Sequence, residues 1–145
     1  MVYLPDTGVA GRCVLPADPQ YPVIRAAVLR LLAGGDKLTV GVQVLSEAWC
    51  LFTRPAESRG GYGLSTSDAD EAIADLLALA SLVPGPPNLW QEQHRLLVSC
   101  RVSGSTTHDC RLAAWCRLSG IDGLITLNPD DFDRFGVPTV QPGDV

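Results

Sequence analysis

The chain reads as a parallel α/β domain, and three observations point there. Short apolar runs alternate with amphipathic helical stretches along its whole length. Right-handed strand–helix–strand crossovers then bury the sheet on both faces. Polar clusters also follow the apolar runs: Asp6-Thr7-Gly8 after the first, and Asn128-Pro129-Asp130-Asp131 after Gly123–Leu127. Ligands bind at that carboxyl edge in open sheets of this class.

In order, Val2–Leu4 is a short strand that Pro5 stops, and a helical turn over Val9–Val14 follows. The loop LPADPQYP carries three prolines. Ile24, Ala27, Val28, Leu31 and Leu32 recur at helical spacing within Val23–Ala33, and Gly34-Gly35 closes that helix. The β-branched run Leu38–Val42 is the second strand. A helix from Gln43 to Thr53 comes next, with Glu47 one turn from its start. TRPAESRGGYGLS is irregular and glycine-rich. Ser67 with Asp70 three residues on resembles a capping box for a helix over Asp68–Ala78. Ser81–Val83 is the third strand, and PGPP breaks the chain after it. Asn88–Val102 is helical. A further helix carries Asp109 at its start, with Thr106 or Thr107 as cap, and ends at Gly120. The strand Gly123–Leu127, a turn over Pro129–Phe135 and a last strand Val137–Val140 complete the domain.

At 145 residues and 46% hydrophobic, the chain is one globular domain's worth. No apolar run is long enough to span a bilayer. The opening MVYLPDTGV lacks the basic and apolar regions of a signal peptide, so a cytoplasmic protein is expected. Five cysteines show no paired CxxC spacing, and free, mostly buried thiols are expected. With two histidines a zinc site is not indicated. A net charge of −5 argues against a non-specific nucleic-acid binder, but not against an enzyme whose bound cations invert the local sign. Neither the phosphate-binding GxxxxGK[ST] nor the hydrolase GxSxG occurs.

The acids carry the functional signal. Asp6 ends the first strand, Glu47 lies in the first turns of the helix after the second, Asp109 lies in the first turn of the helix before the fourth, and Asn128 and Asp131 follow that strand. All map to one edge. Asp109 precedes Ala113 and Cys116 by four and seven, so it tops an inward face. Taken singly, each has an ordinary reading: a turn former, a helix N-terminal acid or a solvated loop residue. Together they repel. At ~4 Å and an effective dielectric near 20, each pair costs roughly 4 kcal/mol. A proton, an arginine or a cation must offset that, and oxygen-only donors select Mg²⁺ or Mn²⁺.

Four segments carry a resemblance to a family: YLPDTGV, QVLSEAW around Glu47, HDCRLAAW around Asp109, and LITLNPDDFDRF. In this order and spacing they resemble the PIN-domain ribonucleases, which include the VapC-type toxins of toxin–antitoxin pairs. The resemblance implies a three-layer α/β/α fold with five parallel strands in order 3-2-1-4-5. It implies a Mg²⁺- or Mn²⁺-dependent endoribonuclease, an RNA substrate, a cognate antitoxin and a homodimer. Carried over, Asp6 and Asp109 are the main metal ligands and Glu47 supports the site. Asn128 takes the fourth position, with Asp131 nearby. Two departures stand out: Gly8 replaces the usual Asn or Ser, and Asn128 is not an acid. A catalytically silent RNA- or protein-binding module is the competing reading. An aspartyl phosphatase is disfavoured, because its second acid would fall at Gly8.

Overall fold

The computed structural model describes residues Met1–Val145. Five strands, β1 (Val2–Pro5), β2 (Lys37–Val40), β3 (Ala80–Leu82), β4 (Gly123–Ile125) and β5 (Thr139–Val140), form one sheet. Its order is β3-β2-β1-β4-β5, and every pairing is parallel. The helices are α1 (Thr7–Arg12), α2 (Tyr21–Ala33), α3 (Val42–Thr53), α4 (Thr66–Leu79), α5 (Leu89–Ser99), α6 (Thr106–Ser119) and α7 (Asp130–Asp133). A 3₁₀ turn, Pro142–Asp144, follows β5. They flank the sheet in two groups: α1 touches α2 and α3, and α3 touches α4, while α5 packs along α6 and α6 touches α7.

The central strands β1 and β4 are buried apart from the partly exposed Val2, as strands covered on both faces must be. Leu4, Val40, Leu124 and Ile125 meet Val9, Ile24, Val28, Val44, Phe52, Trp115 and Phe132 in one continuous core. Proline does not stop β1, as the sequence suggested, but ends it. Pro5 pairs with Ile125, whereas the ladder to β2 runs only through Val2 and Tyr3, so the missing N–H forfeits no bond there.

Helix ends depart most from expectation, each for a local reason. Ser65, not Ser67, caps α4: its Oγ accepts the Asp68 N–H at 3.0 Å. Helix α5 stops at Ser99 instead of reaching Val102. Arg101 adopts φ 52°, the Arg101 N–H returns to the Val98 carbonyl, and that of Val102 to Leu97. This is the left-handed helix ending usually built on glycine. Thr106 and Thr107 lie inside α6 and cap nothing; Ser105 precedes them. Strand β4 ends two residues earlier than expected, leaving Thr126 and Leu127 beyond it. No helix is long and apolar enough to cross a membrane. All five cysteines are free; Cys13, Cys110 and Cys116 are buried, while Cys50 is exposed.

Candidate active site

Asp6 is the first residue past β1 and the N-cap of α1. Its Oδ1 accepts the Val9 N–H at 2.7 Å. Its Oδ2 accepts the hydroxyl of Thr126 at 2.6 Å, from just past the end of β4. Burial raises the Asp6 pKa, opposed by the Thr126 hydroxyl, the Val9 N–H, the Arg12 charge and the Gly8 N–H. The strand ends and the cap thus fix the carboxylate with both oxygens half-committed.

Glu47 points toward α1, the helix that Asp6 caps. Thr7 donates its hydroxyl to Glu47 Oε2 at 2.5 Å. Glu47 Oε1 accepts Gln43 Nε2 at 2.9 Å, and His108 Nδ1 lies 3.1 Å away. The same Gln43 Nε2 donates to the backbone carbonyl of His108 at 3.2 Å, tying α3 to the start of α6. Gln43 Oε1 is buried with no partner at all.

Asp109 lies in the first turn of α6, above the buried Ala113 and Cys116. Its carboxylate, unlike those of Asp6 and Glu47, receives no hydrogen bond. Burial first, then the charges of Asp131, Asp6 and Glu47, push its pKa up to about 6; only His108 opposes them. Four acids from four segments therefore share one electrostatic neighbourhood. Asp131, which the resemblance placed only near the fourth position, is the acid whose charge weighs most on Asp109. Asn128 is exposed; its backbone N–H donates to Thr126 Oγ1 at 3.0 Å and its carbonyl accepts the Asp131 N–H. The structure thus brings Asp6, Glu47, Asp109 and Asp131 together and leaves the Asn128 side chain at the rim.

The donor chemistry suits a hard cation. Every side chain that weighs on Asp109 apart from His108 offers oxygen, and no lysine or arginine neutralises it. No three His, Cys, Asp or Glu side chains converge closely enough to enclose an ion by themselves. Mg²⁺ does not require that, since it keeps several waters and is held by one or two carboxylates. Asp6 and Asp109 are the pair that would hold it, with Glu47 and Asp131 adding charge.

Four contributors were missed by sequence reasoning: Thr7, Gln43, His108 and Thr126. Only Thr126 left a trace, as the one polar side chain inside the apolar run Leu124–Leu127.

Sheet order and flanking helices define the class of fold, a PIN-like α/β/α architecture. No protein-family model matches the chain. No curated protein matches it either. Solved structures do. The chain superposes on VapBC2 from Rickettsia felis, solved with a promoter DNA fragment, with a TM-score of 0.73 at 14% identity, over 97% of this chain and 98% of that one. VapC20 of Mycobacterium tuberculosis, described as a sarcin–ricin loop cleaving toxin, gives 0.67 at 19% identity over 94% and 96%. FitAcB from Neisseria gonorrhoeae gives 0.70 at 13% over the full length of both chains. At these identities the likeness is one of fold.

Proposed function

We propose that this chain is a Mg²⁺- or Mn²⁺-dependent endoribonuclease and the toxin half of a toxin–antitoxin pair. One observation carries the reading. Asp109 sits half-buried among three other acids without a hydrogen bond, and its proton is held to about pH 6. An arrangement that stores like charge in this way suits a cation-dependent reaction at phosphate. The fold shared with a toxin described as cleaving the sarcin–ricin loop supports it.

The chain's own groups have separable tasks. Thr126 and the Val9 N–H aim Asp6. Thr7, Gln43 and His108 hold Glu47. Asp109 gives up its proton near neutral pH with no protein hydrogen bond to break. A bound Mg²⁺ or Mn²⁺ would supply an activated water and stabilise charge on a phosphoryl oxygen.

The antitoxin reading rests on fold neighbours solved as VapBC and FitAB assemblies. A surface groove between α3 and α4, lined by Leu45, Ser46, Trp49 and Ile73, suits an apolar segment of such a partner. A homodimer belongs to the same proposal, as does a cytoplasmic setting.

A second reading, a silent RNA- or protein-binding module, draws on Gly8. A side chain at that position would sit 3.3 Å from Asp6 Oδ1, so a polar group beside the carboxylate is missing. One experiment separates the two: Mn²⁺ titration by calorimetry together with RNA cleavage, for the wild type and Asp109→Asn. The nuclease reading expects binding and cleavage that the substitution abolishes. A wild type that binds no Mn²⁺ and cuts no RNA leaves the silent module.

A further inference from the structure

We propose that Arg12 is the residue through which this site grips a phosphate of its RNA substrate, in place of the polar group missing at Gly8. The proposal rests on the ribonuclease reading above and adds a binding residue to it.

Arg12 ends α1, one turn after Gly8. Its Nη1 donates to the Gly8 carbonyl at 3.1 Å. A Cβ at Gly8 would lie 3.2 Å from Arg12 Nη1 and 3.3 Å from Asp6 Oδ1. The guanidinium and the Asp6 carboxylate therefore face each other across the one carbon that glycine lacks. The Arg12 charge reaches Asp6 and stabilises its ionised form. Arg12 is the only cationic side chain that acts on Asp6, and none but His108 acts on Asp109. In a chain of net charge −5, approach of a polyanion to this edge needs such a cation.

The guanidinium is also held ready. Its Nε lies 3.5 Å from Oδ2 of Asp18, which is 8% exposed. Asp18 does not depend on Arg12 for its bonds. Tyr62 donates its hydroxyl to Oδ2 at 2.5 Å, and the Gln20 N–H donates to Oδ1 at 2.8 Å. Arg12 spends one hydrogen bond on the protein out of five N–H donors, and about a third of its side chain is exposed. A planar fork, braced by a buried carboxylate and partly exposed, suits the geometry of a phosphate. A lysine there would offer only a point charge. Tyr62 belongs to the glycine-rich stretch between α3 and α4, so that stretch braces Arg12 through Asp18.

The test is RNA binding without divalent metal. Fluorescence anisotropy with a labelled single-stranded RNA in EDTA gives an affinity and its dependence on salt. Arg12→Gln is expected to weaken binding by about tenfold. It should also lower the slope of log K against log salt by about 0.7, the loss of one phosphate contact on a single strand. Arg12→Lys should keep the slope while losing affinity. Gly8→Asn offers a variant that leaves Asp18 and its partners intact: it displaces the far end of Arg12, so Arg12→Gln should cost less in that background. If Arg12→Gln melts at the wild-type temperature and keeps the wild-type slope, Arg12 is not a phosphate contact. If Arg12→Gln proves too unstable to assay, the slope of Gly8→Asn decides in the same way. A wild type that binds no RNA in EDTA and also cuts none with Mn²⁺ brings down the ribonuclease reading itself, a different outcome from an unchanged slope.

Discussion

The hydroxyl of Thr126 donates to Asp6 Oδ2 at 2.6 Å, joining the ends of two neighbouring strands across 120 residues of sequence. The same hydroxyl oxygen accepts the Asn128 N–H, so it also shapes the turn that carries Asn128 and Asp131. Thr126 is completely buried. Thr126→Val keeps the shape and strips both bonds, leaving an acid and an amide short of a partner. The expected cost is about 2 kcal/mol, or about 7 °C in Tm for a domain of this size. RNA cleavage should fall with it by about tenfold or more. Thr126→Ser restores the hydroxyl and should recover most of both. Cleavage by Thr126→Val at the wild-type rate would show that Asp6 needs no aiming.

Gly41 immediately precedes α3 and lies against the indole of Trp115 on α6. A Cβ at position 41 would overlap the six-membered ring of that indole. The backbone there is extended, at φ −111°, so the requirement is one of space and not of conformation. Trp115 is fully enclosed and has nowhere to retreat. Gly41→Ala should destabilise by about 3 kcal/mol, at the upper end for overpacking a tight core. The displacement would reach Gln43 and Glu47, two and six residues on, so cleavage should drop as well. Thermal melting and a cleavage assay check both. A variant with wild-type Tm would mean that the contact is looser than the geometry shows.

Much of this was legible in the sequence because two periodicities carried it. Apolar runs gave all five strands, and edge logic placed Asp6, Glu47, Asp109 and Asp131 in one neighbourhood before any coordinates. Helix ends were less legible. Ser65/Asp68 and Ser67/Asp70 are overlapping copies of the same capping pattern, and local chemistry cannot choose between them. Tertiary structure does: the Leu64 N–H donates to the Phe52 carbonyl, which fixes where the loop ends. Arg101 gave no sign of taking the left-handed turn that glycine would have announced. The residues that hold the acids were the least visible. Thr7, Gln43 and His108 act by contacts 40, 4 and 61 positions from Glu47. Even the four-residue spacing of Gln43 and Glu47 on one helix face does not single out a pair, since every helix offers many such spacings.

Gln43 separates stability from activity. Its Nε2 ties Glu47 to α6, while its Oε1 is buried without a partner. Gln43→Met, of similar volume, loses two hydrogen bonds but also relieves the orphaned oxygen. These effects oppose each other at about 1–2 kcal/mol apiece, so the net change in stability should stay within about 1 kcal/mol. Glu47 nonetheless loses the Gln43 donor to its Oε1 and keeps only Thr7 and His108. Cleavage should fall by about tenfold, with Tm moving by no more than about 4 °C. A large loss of Tm with normal cleavage of the folded fraction would place Gln43 in the scaffold alone.

Asp109 makes stability depend on pH in a direction opposite to most surface acids. Its folded pKa of about 6 exceeds the ordinary 3.8, because burial and the charges of Asp131, Asp6 and Glu47 disfavour ionisation. Between those values the folded chain binds more protons than the unfolded one. Linkage then requires that this contribution be fully present below about pH 4, decline as pH rises through 6, and stay lost above it. Asp109→Asn removes the ionisation. Its Tm should exceed that of the wild type at pH 7.5, and the advantage should shrink to nothing by about pH 4. Mn²⁺ should raise the wild-type Tm above pH 6 by offsetting the same repulsion, and should do less as protons compete below it. For Asp109→Asn the ion should do little at any pH. Melting curves across pH 4–8, with and without Mn²⁺, decide the matter: parallel curves for the two proteins would mean that Asp109 carries no stored repulsion and that its acid neighbours are too remote to matter.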